Sequence, residues 1–152
     1  MRYTQGQVRD LLDLPIETLR RWRDSLSVLA RHKGHGPTFS PGDVVALALT
    51  VDLVNIYGVR VNTLAARLDE LFELCHGCSW LTLESCVIEI SAEETRMLQA
   101  DDSRRDLDHG TVLSIPCRSI VQRLRTKLIA AEFEDPQAQL QFPPTAVAAK
   151  AR

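Results

Sequence analysis

The spacing of apolar residues changes period several times along this chain, and each change marks a predicted element. Val8, Leu11 and Leu12 recur at helical spacing. They follow Thr4-Gln5-Gly6-Gln7, where a Thr hydroxyl can cap an amide while Gln7 reaches back. This predicts a short helix ending near Asp13-Leu14. Pro15 then occupies a position suited to the first turn of a second helix, with Glu17 beside the positive end of its dipole. Ile16, Leu19 and Trp22 give that helix, residues 15–25, one apolar face, and Arg20, Arg21 and Arg23 project from the rest. Two short helices joined by so tight a turn predict a helix-turn-helix.

Leu26 to Leu29 is apolar or β-branched at alternate points, a strand-like pattern. The basic loop Arg31-His32-Lys33-Gly34-His35-Gly36-Pro37 separates it from Thr38-Phe39. Two glycines in a basic loop between strand-capable arms predict a hairpin, a wing over residues 31–37. Ser40-Pro41-Gly42-Asp43 is a helix start, with Ser as cap, Pro in the first turn and Asp behind it. The helix Val44 to Tyr57 is apolar on most sides, which predicts a central core helix ended by Gly58. Another begins at Val61 or Asn62, with Leu64, Leu68, Leu71, Phe72 and Cys75 on one stripe.

The second half has a different texture. Ser79 to Ile90 is rich in apolar and β-branched residues and reads as one extended strand or a pair. Ala92 to Ala100 reads as a short helix, and Asp101-Asp102-Ser103-Arg104-Arg105-Asp106 as a solvated charged loop. Thr111 to Pro116 reads as a strand. A helix from Arg118 to Phe133 follows, placing Ile120, Val121, Leu124, Leu128 and Ile129 inward and Arg123, Arg125 and Lys127 outward. The tail, residues 135–152, is proline- and alanine-rich and reads as flexible. The expected fold class is α+β, mainly helical: a winged helix-turn-helix domain at 1–75, a small α/β module at 76–134, then the tail.

Composition adds constraints. No run approaches the ~18 apolar residues that cross a bilayer, and Met1 to Gly6 lacks the pattern of a signal peptide, so the expected location is the cytoplasm. The net charge of −2 argues against nucleic acid, but its distribution reverses that argument. From Met1 to Phe39 seven basic residues face four acidic ones, whereas the remainder is strongly acidic. A basic head on an acidic body suits a protein that meets phosphate with one end.

An arginine cluster on a helix is ordinarily a solvated face; the adjoining basic loop is what shifts the reading to DNA. Phosphates call for positive charge, and guanidinium pairs two-pronged with guanine O6 and N7 in the major groove. The residues assigned to duplex DNA are Thr18, Arg20, Arg21, Trp22 and Arg23 on the recognition helix, with Arg31, His32, Lys33 and His35 on the wing.

The order of these parts is distinctive. Thr18-Leu19-Arg20-Arg21-Trp22-Arg23, then a basic glycine-containing wing, then Phe39-Ser40-Pro41-Gly42-Asp43-Val44 opening an apolar helix, resembles the DNA-binding domain of MerR-type regulators over residues 3–74. Phage excisionases and terminase small subunits share a related winged helix. The resemblance implies that Arg20 and its neighbours contact the groove or backbone, that Trp22 packs or stacks at the phosphate edge, and that the wing meets an adjacent minor groove or phosphates. Arg23 stands where the family often has an acidic residue, and Thr38 where it often has a basic one. The long dimer-forming helix usual in that family is not evident here.

Cys75-x-x-Cys78, with His76 between and Cys86 beyond, raises a metal site; so do His32 and His35. A lone pair of thiols without a second pair reads instead as apolar core cysteine, and no cofactor is expected. Nothing pairs a carboxylate with a base or nucleophile, and no G-x-G-x-x-G or P-loop is present, so the chain does not read as an enzyme. The expectation is a homodimeric, sequence-specific regulator of transcription on double-stranded DNA, not membrane-bound. The alternatives are a phage or mobile-element architectural or packaging factor, whose second half serves a protein partner, and a protein-interaction module that has lost DNA binding.

Overall fold

The computed structural model describes residues 1–32, 36–101 and 110–134, in which seven α-helices and a three-stranded sheet make a mainly helical α+β fold. Helix α1 (Gln5–Leu12) starts on the expected capping box: the Gln7 amide donates to Thr4 Oγ1 at 3.2 Å and the Thr4 amide to Gln7 Oε1 at 2.9 Å. It ends at Asp13, whose φ of 51° is a left-handed conformation that aspartate tolerates better than most residues. Pro15 then leads into α2 (Ile16–Ser25), which buries Leu19 and Trp22.

The next segment corrects the sequence reading. Residues 27–30 are not the first arm of a hairpin but one helical turn, α3 (Ser27–Ala30). The cause lies far along the chain: the Asp69 carboxylate accepts from the Ser27 and Val28 amides, both at 3.2 Å, and from Ser27 Oγ at 2.7 Å. Free amides at a helix start are satisfied there by a remote cap, a contact no local pattern encodes. The return arm does pair, though with another element: Tyr3 and Phe39 exchange backbone hydrogen bonds of 2.8 and 3.1 Å.

Helix α4 (Pro41–Asn55) opens on a second capping box, Ser40 with Asp43, and buries every residue from Gly42 to Thr50. An all-round apolar helix has to sit at the centre, and α4 does. A 3-10 turn at Val61–Leu64 leads into α5 (Ala65–His76). The two helices approach so closely that a Cβ on Gly42 would stand 1.7 Å from the Cys75 carbonyl oxygen, so only glycine fits there.

Beyond α5 two further expectations change. Residues 80–84 form a short helix, α6 (Trp80–Glu84), rather than the start of a strand. Ser79 caps it, accepting from the Thr82 amide at 3.1 Å, and the Trp80 indole donates to the Pro41 carbonyl at 2.8 Å. Strand β1 (Cys86–Ile90) follows. The expected helix at 92–100 is instead strand β2 (Thr95–Gln99), because Ser91 ties the Glu93 and Glu94 amides into a tight reversal that lays the chain back along β1. Strand β3 (Leu113–Pro116) pairs on the other side, giving the antiparallel order β2-β1-β3. Ile88 sits opposite both Met97 and Ile115, with the Ile88 side chain fully buried.

Helix α7 (Cys117–Glu134) buries Ile120, Val121 and Leu124 as its period predicts, but Ile129 is 54% exposed, contrary to expectation: the face that carries it runs past the core. One buried cluster takes side chains from Tyr3 to Leu124, with Leu47, Cys75, Leu83, Ile88 and Val121 among them. Residues on both sides of position 75 contribute to that cluster. No helix among the described residues is long and apolar enough to cross a membrane. The charged loop at 102–106 and the tail at 135–152 lie outside the described residues.

Candidate nucleic-acid interface

Helix α2 has two faces because Leu19 and Trp22 are drawn into the core, and the residues between them must point out. Arg20 and Arg21 do so. Arg20 Nη1 pairs within its own helix with Glu17 at 2.8 Å, both side chains well exposed; such a pair exchanges readily with solvent or another anion. Arg21 makes no ion pair among the described residues. Thr18 is half-buried on the same helix.

Other assigned residues play a different part. Trp22 is 7% exposed and packs in the core. Arg23 turns back into the protein: its Nη2 donates to Gln5 Oε1 at 2.8 Å and to the His32 carbonyl at 2.9 Å, joining α1, α2 and the root of the basic loop. Burial and then the neighbouring Arg20 charge lower its pKa, and its Nε is buried with no partner among the described residues. Arg31 is exposed but pairs with Glu73 of α5 at 2.5 Å. His32 is buried, its ring stacked on Phe39 with centroids 4.4 Å apart. Lys33 and His35 lie outside the described residues.

His32 belongs to a small polar knot that sequence reasoning missed. Its Nε2 stands 3.8 Å from Asp43 Oδ2, while His76 Nδ1 lies 2.8 Å from Asp43 Oδ1 and the Ser40 amide donates to Oδ2 at 2.7 Å. Burial pushes the His32 pKa below its ordinary value, against the opposing pull of the Asp43 carboxylate. The knot lines a cavity of about 270 Å³ behind the root of the basic loop. No local signal brings His76 to Asp43; that meeting depends on the approach of α4 and α5.

A second concavity lies where α1 starts against α2. It has a volume of about 570 Å³ and is lined by Arg9, Arg20 and Arg23 with Gln5, Gly6 and Ile16; among the described residues no carboxylate lines it. Arg9 uses Nε on the Leu14 carbonyl at 3.3 Å, leaving both terminal nitrogens without a protein partner among the described residues. Arg9 was not among the residues singled out from sequence, because its position beside α2 arises only when the two helices dock.

The cysteine candidates are free thiols. Cys75 and Cys86 are buried and Cys78 is half-buried. Burial raises the pKa of Cys75 and of Cys86, so each resists the thiolate form a metal requires, and among the described residues no three His, Cys, Asp or Glu side chains gather as a metal site. Cys117 is pushed up to about 12 by the same burial. Compared with known proteins, the chain matches no protein-family model, no curated protein and no solved structure.

Proposed function

We propose that this chain is a sequence-specific, double-stranded DNA-binding regulator of transcription, a cytoplasmic winged helix-turn-helix protein of MerR type acting as a homodimer. In this reading α2 enters the major groove with Arg20 and Arg21, and the basic loop at 31–37 follows the neighbouring phosphates. The supporting observation is the division of α2: its apolar face is fixed in the core, so the outward arginines are carried on a rigid rod. Of the wing only the returning arm has support, from the Tyr3–Phe39 pairing that anchors it, since the segment before the loop is the helical turn α3.

One observation favours the competing reading of a protein-interaction module: Arg31, assigned to the wing, is held by Glu73 of the acidic body. Binding to labelled duplexes drawn from genomic fragments, measured across a salt series, separates the two. A DNA-binding protein gives log K falling linearly with log salt, with a slope of about −0.9 per phosphate neutralised. Absence of binding at low salt would leave the interaction module as the better reading.

A further inference from the structure

We propose that the groove between the start of α1 and the flank of α2 is a phosphate seat, with Arg9 as its principal unassigned contact. Three guanidinium groups border one concavity, two from α2 and one from α1; among the described residues no carboxylate lines it, and the one that pairs with a member of the set is Glu17, on Arg20. Like charges collected around a hollow repel one another, and an anion in the hollow offsets that repulsion. Arg20 is paired with Glu17 and Arg23 with Gln5 and the His32 carbonyl, so the open donors are those of Arg9. Arg9 keeps both terminal nitrogens, and two such nitrogens match two oxygens of one phosphate. The fixed position of Arg23, tied by Gln5 and the His32 carbonyl, makes the rim rigid before any ligand arrives. Gly6 on the rim is exposed and carries no side chain that would bar the approach.

The ligand chemistry is a phosphate oxygen pair. Its natural source, resting on the DNA-binding reading above, is a backbone phosphate of the duplex whose groove α2 enters. That contact fixes register and carries no base information. A free phosphate group is the other source of the same chemistry.

The test uses the full chain, its Arg9→Gln and Arg9→Lys variants, and Arg118→Gln as an equal loss of charge on an exposed position at the start of α7. Duplex binding is measured against salt. Arg9→Gln is expected to weaken binding about tenfold near 0.1 M salt, equally for all sequences, and to reduce the magnitude of the salt slope by about 0.9. Arg9→Lys, which retains charge but loses the Leu14 contact, keeps most of the slope; this separates phosphate contact from damage to the α1–α2 turn. In parallel, inorganic phosphate is titrated against sodium chloride at matched ionic strength while the Gln5 and Gly6 amide resonances are followed. Saturable shifts with phosphate, lost in Arg9→Gln, in a protein that binds no duplex would refute the DNA reading and support the seat for free phosphate. Duplex binding in which Arg9→Gln behaves like Arg118→Gln would overturn the seat and leave the DNA reading standing. Neither duplex binding nor phosphate shifts would overturn both.

Discussion

Helices α2 and α7 carry similar numbers of cations, and the fold treats them in opposite ways. On α7, Arg123 grips Asp52 of α4 through one nitrogen at 2.8 and 2.9 Å, Arg125 meets Glu84 of α6 at 2.6 Å, and Lys127 reaches Asp13 at the α1–α2 turn at 2.5 Å. Each of these three cations finds a carboxylate on a different element, so α7 is stitched to its surroundings; Arg118, at its exposed start, has no ion pair among the described residues. Among the described residues the only carboxylate pair on α2 is the local one with Glu17, Arg21 has none, and Arg23 is held by neutral partners. Count and spacing of arginines therefore do not identify a binding helix; what matters is whether distant acids close on them. Charge left open on α2 is available to a ligand, whereas the charge of Arg123, Arg125 and Lys127 on α7 is already used in holding the fold.

Helix α7 packs directly on α4, while α2 packs on α3 and the turn at 61–64; the most damaging change is expected at the start of α4, the centre of the shared core. Gly42→Ala places a methyl against the Cys75 carbonyl and forces backbone to move, at a cost of about 3 kcal/mol or more. Chemical denaturation should show a large loss, and DNA binding should fall with it, because the core that both helices share is disturbed.

Acid is expected to act next, through the root of the basic loop. His32 has a folded pKa below its ordinary value near 6.5, so the native state favours the neutral ring. Its contribution is complete above about pH 6.5 and diminishes as pH falls from there through the lower folded value, since the unfolded chain then binds the extra proton. Urea midpoints at pH 7.5 and 5.5 should differ in that sense, and His32→Gln should flatten the difference. An unchanged dependence in the variant would place the titrating group elsewhere.

The smallest effect belongs to the stitches of α7. Arg125→Ala should cost about 0.5–1 kcal/mol, since Arg125 is partly exposed and solvent screens the pair. The loss should shrink in high salt and leave DNA affinity unchanged. A fall in DNA affinity as large as that caused by a change on α2 would break the contrast between the helices.

Parts of the molecule were legible because their causes are local. The capping boxes at Thr4 and Ser40 and the all-round apolar run of α4 need only neighbouring residues to be recognised. The same holds for the inward face of α7 as far as Leu124. Other parts were set by partners far away. Thr95 to Gln99 contains good helix formers, yet it forms a strand because β1 offers a ladder, and because Thr95 is pinned by Glu70 and by the Arg67 carbonyl, each at 2.8 Å. The turn at 27–30 follows Asp69, more than forty residues on. Of the candidate site, the outward placement of Arg20 and Arg21 was readable from the α2 period. The inward turn of Arg23, the burial of His32, the Arg31–Glu73 pair and the entry of Arg9 into the groove were not. Each depends on which surface another element presents.

Duplex affinity of two matched double variants, Arg20→Ala with Arg21→Ala and Arg123→Ala with Arg125→Ala, tests the contrast most directly. The first pair is expected to weaken binding about a hundredfold near 0.1 M salt while the unfolding midpoint barely moves. The second is expected to lower the midpoint and leave affinity within about twofold, as loss of exposed ion pairs should. Equal losses of DNA affinity from both pairs, or none from the first, would contradict the assignment of α2 as the helix that meets DNA.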